Sequence, residues 1–347
     1  MSVSIDKAYL LVSTSCNDRC RYCIIRKSAR HMDEATIRQA LELVFDSPGM
    51  EKTVAIYGGE PLLRFDLVRK TAEILRQVEA RSGKTGRLFI YSNALLLDAA
   101  RARWLARRGI GLIASLDVCQ ELRPARLRSA RHRATFPVKA AHLRDAIRIL
   151  GPDRVCAASV LLPSEVGLLM AQVRYMTEEL GCRVVKILPG LGRYHWTRAQ
   201  AAALARQLES LRAYLLRAWA AGHEAYCDIL NESLARAAIR SGDSARRVSV
   251  IEIYPNRAFG LSPCEFELPR GLRHLNDTDR YQLGSLDHVD ARGLAQAIAR
   301  LDREPRNAGL RLLSGWAQAT ARGLLERAAG DRSLRGYVER ARRLVFA

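Results

Sequence analysis

Short apolar runs alternate with longer segments whose apolar positions recur every third or fourth residue along the first two-thirds of the chain. The runs at 8–14, 54–57, 88–91, 110–115, 155–161 and 182–188 predict strands. A helix capped by Asp33 follows the first run, with Ile37, Leu41 and Val44 on one face and Pro48-Gly49 to stop it. Further helices are predicted near 62–80, 98–108, 138–150, 165–180 and 197–220. Six β-then-α units in succession imply a parallel sheet with helical crossovers. This count and length favour an α/β fold of the partial (β/α)6 TIM-like barrel type over an open doubly wound sheet. Residues 1–220 are read as the barrel. Residues 221–347, with a strand near 248–254, a turn-rich stretch through Pro263 and Pro269 and two or three amphipathic helices, are read as a C-terminal α+β extension that covers the barrel or binds substrate.

In such barrels the working residues lie at the C-terminal ends of the strands. Four polar segments fall there: a cysteine loop, Gly58-Gly59-Glu60, Ser92-Asn93 and Ser115-Leu116-Asp117. The loop, Cys16-Asn17-Asp18-Arg19-Cys20-Arg21-Tyr22-Cys23, places three thiols within one short stretch. Soft thiolates favour zinc or an iron–sulfur centre. A closed zinc site needs a fourth ligand, for which His31 is at hand. Three ligands alone hold three corners of a cubane and leave one iron open. At the other segments, glycines let a backbone approach a ligand closely, a carboxylate accepts from an ammonium, and short polar side chains suit ribose hydroxyls or cap the helices that follow.

Composition changes the picture little. The chain is 48% hydrophobic and 27% charged, ordinary for a globular protein. Its net charge of +20 suits an acidic partner such as nucleic acid, anionic lipid or an acidic peptide. The excess is nearly all arginine, spread along helices, as GC-rich coding also produces. Aromatics make up only 6%, which disfavours a surface built to stack single-stranded bases, so nucleic acid is the less favoured partner. The first apolar run is too short for a signal-peptide core, and no stretch approaches the roughly 20 apolar residues of a membrane span. A cytoplasmic location without membrane contact is expected. The eight cysteines are too unevenly spaced for a disulfide framework.

Cys-x3-Cys-x2-Cys with an aromatic before the last cysteine, directly after the first strand of a βα series, resembles the signature of the radical S-adenosylmethionine (SAM) superfamily. The resemblance runs over roughly residues 5 to 220. It implies that Cys16, Cys20 and Cys23 bind a [4Fe–4S] cluster whose open iron chelates SAM. An electron from the cluster then cleaves SAM to methionine and a 5′-deoxyadenosyl radical, which takes a hydrogen atom from the substrate. It implies further that Gly58, Gly59 and Glu60 meet the methionine ammonium, that Ser92, Asn93, Ser115 and Asp117 meet methionine or ribose, that Tyr22 lies against adenine, and that an electron donor such as flavodoxin or ferredoxin is needed. The Ser-Leu-Asp stretch is common in the peptide-modifying branches of the family, whose extensions carry auxiliary clusters. Here Cys227 and Cys264 are too few for one.

The remaining expectations concern substrate and single residues. Modification of a peptide or peptide-derived metabolite is the favoured activity, with RNA modification or small-molecule biosynthesis as alternatives, and a non-catalytic iron–sulfur or zinc protein as the alternative of another class. Cys119, soon after the fourth strand, is the candidate hydrogen-atom donor, or else an inert buried thiol. Cys156 and Cys182 are read as core. Lys186 is read as a lysine that snorkels to the surface rather than meeting a carboxylate.

Overall fold

The computed structural model describes residues 3–123, 129–190, 194–237, 246–248, 251–261, 282–288 and 308–346. After a short first strand, β1 (Val3–Ile5), six strands follow in order: β2 (Lys7–Ser13), β3 (Glu51–Gly58), β4 (Thr85–Ser92), β5 (Gly111–Leu116), β6 (Val155–Leu161) and β7 (Val184–Pro189). Each pairs in parallel with the next, so chain order equals sheet order. That order is the signature of a curling barrel wall, since a doubly wound sheet reverses direction midway. The chain is a partial (β/α)6 TIM-like barrel, and its sheet does not close.

Helices α1 (Glu34–Asp46), α2 (Phe65–Ser82), α3 (Ala99–Arg107), a single turn α4 (Val118–Glu121), α5 (Ala130–Leu150), α6 (Leu169–Arg174) and α7 (Arg198–Ala220) make the crossovers. Side-chain caps start them where the sequence places caps. Asp33 accepts from Thr36 N at 2.7 Å, and Thr197 forms a capping box with Gln200.

Two helices differ from the pattern. α5 starts eight residues before the predicted 138, capped by Ser129, and runs through Pro137. A proline inside a helix costs one backbone bond and crowds the preceding turn. His132 and Phe136 offset that cost by stacking on each other at 4.9 Å and burying the first turns. The segment 163–179 is a relay of 3-10, α and π turns, with α6 as its regular middle.

Residues after 220 complete the wall. The two-residue strand β8 (Tyr226–Cys227) extends the sheet beyond β7. Beyond β2, on the other edge, β10 (Ile251–Ile253) pairs in parallel, followed by antiparallel β11 (Ala258–Leu261) and β12 (Gln282–Ser285). A separate strand, β9 (Arg246–Val248), pairs with β1. Helix α8 (Asp228–Ala237) follows β8 directly and packs against β7. At its first turn Asp228 pairs with Lys186 of β7 at 2.8 Å, and one turn on Glu232 pairs with Lys7 of β2 at 3.0 Å. Two ion pairs four residues apart on one helix thus tie the two sides of an unclosed sheet. Helices α9 (Ala308–Ala328) and α10 (Arg332–Arg343) pack outside α8.

Cys156 and Cys182 are buried as expected, although Cys182 precedes its strand. Cys264 and the turn-rich stretch through Pro263 and Pro269 lie outside the described residues. No described helix is long and apolar enough to cross a membrane.

Candidate active site

The three thiols sit in the loop that leaves β2. Cys16, Cys20 and Cys23 are half-buried and face one cavity of about 910 Å³ at the C-terminal ends of the strands. The residues between the cysteines fasten the loop to distant elements. Asp18 is buried and receives Lys139 Nζ from α5 at 2.5 Å and Arg131 Nε at 3.0 Å. Burial alone would raise the Asp18 carboxyl, but Lys139 and Arg131 hold it down to about 2. Arg21 reaches Glu165 at 2.5 Å and Asp117 at 3.8 Å, and Arg123 meets the same buried Glu165. Asn17 accepts from Asn93 Nδ2 at 2.8 Å. The polar character of this loop is therefore structural as well as chemical.

Burial pushes the Cys16 thiol up and the Cys20 thiol up to about 12. A bound metal reverses that preference, because a coordinating thiol is deprotonated outright. Among the described residues no three His, Cys, Asp or Glu side chains converge on a point where one metal ion would sit. His31 turns aside to Ser13 Oγ at 3.5 Å. Three neighbouring soft thiols suit separate irons of a cubane, which need not share one point.

The glycine–glutamate segment is engaged by the protein's own loop root. A Cβ on Gly59 would lie 1.9 Å from Ser15 O, and one on Gly58, at φ +133°, would lie 2.3 Å from Ser13 O. The glycines thus admit the protein's own loop root, with Gly59 N and Glu60 N both donating to it at 2.7 Å. Glu60 is wholly buried and does not line the cavity. Its carboxylate accepts from Leu62 N at 3.0 Å, Ser92 Oγ at 2.8 Å and Asn93 N at 2.7 Å. Burial raises its pKa, and these three donors work against the rise. It is an internal anchor that joins the ends of β3 and β4.

Glu60→Ala is accordingly expected to strand three buried donors and to lower stability by about 2–4 kcal/mol, with Glu60→Gln milder. Thermal denaturation of the two variants checks it. A cofactor-binding defect at unchanged stability would return Glu60 to the ligand.

Ser92, Asn93, Ser115 and Tyr22 line the cavity together with Gly58 and Gly59. Burial raises the Tyr22 phenol well above its usual range. Asp117 does not line the cavity. It caps α4 through Gln120 N at 3.3 Å and faces Arg21. Burial raises its pKa, against the pull of Arg21. Cys119 is also displaced from its expected place: it is fully buried, absent from the cavity wall, and directed at Val160 O at 4.0 Å. Lys186 does not snorkel. It is half-buried, paired with Asp228 and over the Tyr91 ring at 5.9 Å, and it forms part of the cavity wall.

The barrel floor is not evident from local sequence pattern. Tyr9, Tyr57 and Tyr91 point inward from β2, β3 and β4 with ring centroids 5.6–6.4 Å apart. Tyr57 Oη donates to the buried Glu252 at 2.6 Å. The signal lay in the strands themselves, where a tyrosine stands directly before Gly58 and directly before Ser92.

An unclosed α/β barrel has three thiols at its mouth, beside a cavity walled by glycines and short polar side chains, an arrangement with room for a cluster and a cofactor. The comparisons agree. Residues 10–164 match the model of the Radical SAM superfamily. That family uses a [4Fe–4S] cluster and SAM.

An uncharacterized protein of Archaeoglobus fulgidus is 33% identical over 118 residues, 33% of this chain and 26% of its own length. GTP 3′,8-cyclase 1 of Mycobacterium tuberculosis is 29% identical over 214 residues, 58% of this chain and 56% of its own. The chain thus spans about half or less of the curated relatives it matches. Among solved structures, anSMEcpe with bound AdoMet (SAM) superposes with a TM-score of 0.68 at 12% identity, covering 97% of this chain and 98% of that one, a likeness of fold.

Proposed function

We propose that this chain holds a [4Fe–4S] cluster on Cys16, Cys20 and Cys23 and acts on a peptide or peptide-derived substrate. The observation that carries the proposal is one continuous cavity, running from the thiols past Gly58, Gly59, Ser92, Asn93 and Ser115 to the tyrosine floor. When bound, the cluster supplies one-electron cleavage of SAM and thereby a radical able to take a hydrogen atom from carbon.

The chain's residues do the rest. The backbone at Gly58 and Gly59 and the side chains of Ser92, Asn93 and Ser115 orient the methionine and ribose of SAM, and Tyr22 borders the adenine. Asn93 Nδ2, 4.0 Å from Cys16 Sγ, stands where a donor tunes a coordinating sulfur. The tyrosine floor and α8 exclude water from the reacting carbon. An external reductant, such as flavodoxin or ferredoxin, supplies the electron.

Support for a peptide comes from the fold. The anSMEcpe structure that holds both AdoMet and the Kp18Cys peptide superposes with a TM-score of 0.65. A second reading, a nucleotide substrate, is favoured by the likeness to GTP 3′,8-cyclase.

The test is anaerobic. Protein reconstituted with iron and sulfide, reduced with dithionite and given SAM is expected to form 5′-deoxyadenosine. Protein that takes up zinc in place of iron and forms none overturns the proposal.

A further inference from the structure

Helix α9 walls part of the cavity with a polar stripe. Arg311, Ser314, Gln318 and Arg322 recur at intervals of three and four, share one face, and all line the cavity. The adjacent face, with Ala317, Ala321, Leu324 and Ala328, is buried. Arg311 and Arg322 are exposed and form no ion pair or side-chain hydrogen bond among the described residues.

The acids of the same cavity are already engaged. Asp228 pairs with Lys186, Glu232 pairs with Lys7 and Arg236, and Glu252 accepts from Tyr57 and Tyr254. The charge left for a ligand is therefore positive: Arg311 and Arg322 carry it on α9, and Lys27 adds to it near the thiols.

Its spacing sets the ligand's length. From 311 to 322 is 11 positions on one helix, or about 16 Å at the α-helical rise. An extended peptide covers that distance in about five residues.

We infer that the α9 stripe binds an acidic peptide segment of the substrate. Two carboxylates about five positions apart meet Arg311 and Arg322, and Ser314 and Gln318 bond to the backbone between them. This rests on the peptide reading above and specifies which peptides the site accepts.

The test is fluorescence anisotropy at low salt. The probe is a labelled peptide of alanine, glycine and serine carrying two glutamates about five positions apart, the span of the stripe. Arg311→Gln and Arg322→Gln are each expected to weaken its binding about three- to fivefold, the size a rim ion pair carries. A probe with both glutamates changed to glutamine should bind the wild type and the variants alike. Equal affinity of all forms for the acidic probe overturns the inference. So does loss of GTP binding in both variants with the peptide unaffected, which makes the stripe a nucleotide site.

The two proposals fail separately. Formation of 5′-deoxyadenosine by a wild type that does not bind the probe removes only this inference. Binding by an iron-loaded wild type that forms none with the probe present removes only the proposed chemistry.

Discussion

Changing Cys16, Cys20 or Cys23 to alanine is expected to take reconstituted protein from about four irons per chain to nearly none and to abolish 5′-deoxyadenosine formation. Two thiolates hold a cubane poorly, and His31, bonded to Ser13, is not placed to substitute. The fold should survive each change. The loop is fastened through Asp18, Arg21 and Asn17, none of which needs a metal to keep its partner. Iron analysis, the visible absorption of the cluster and circular dichroism together check this. A full iron complement in any one variant would remove that cysteine from the ligand set.

Lys186→Met should cost about 3–5 kcal/mol of stability, because it leaves Asp228 as an uncompensated buried charge. Asp228 is 1% exposed and Lys186 12%, so water replaces little of what is lost. Burial works against the charge on Lys186, yet Asp228 and the neighbouring tyrosines raise its pKa well above the usual value. Lys186 therefore keeps its charge throughout the range in which the protein is handled. Lys186→Met with Asp228→Asn should recover part of the loss, since the stranded charge is gone. Chemical denaturation of the single and double variants measures the coupling, and additive losses would show that the pair does not hold β7 to α8.

Much of the barrel was legible because each element announces itself locally. Asp33 and Thr197 mark helix starts, and the apolar runs at 54–57 and 155–161 match β3 and β6 closely. The cysteine loop was legible for the same reason: three thiols in eight residues need no long-range information. Where partners lie far apart along the chain, local pattern fails. Glu60 reads as a ligand group because nothing near it reveals that Ser92 and Asn93 supply its donors. Lys186 reads as a surface lysine because its counter-charge, Asp228, belongs to a segment read only as an extension. The early start of α5 is hidden behind Pro137, whose local preference is outweighed by the packing of His132 and Phe136. Asp117 and Cys119 sit near the barrel mouth in sequence, yet the turn of α4 carries both away from the cavity.

The fastening of the thiol loop also sets a schedule. Its partners stand far along the chain: Asp18 waits for Arg131 and Lys139, 113 and 121 residues later, and Arg21 for Glu165, 144 residues later. During synthesis the cysteines leave the ribosome well before the scaffold that shapes them. Until Glu165 has emerged, the three thiols belong to an unfastened tail that a stray metal or oxidant can reach. Iron delivery that is productive therefore comes after most of the barrel is made, and cells that express this protein faster than they supply iron should accumulate a folded apoprotein rather than a half-built one.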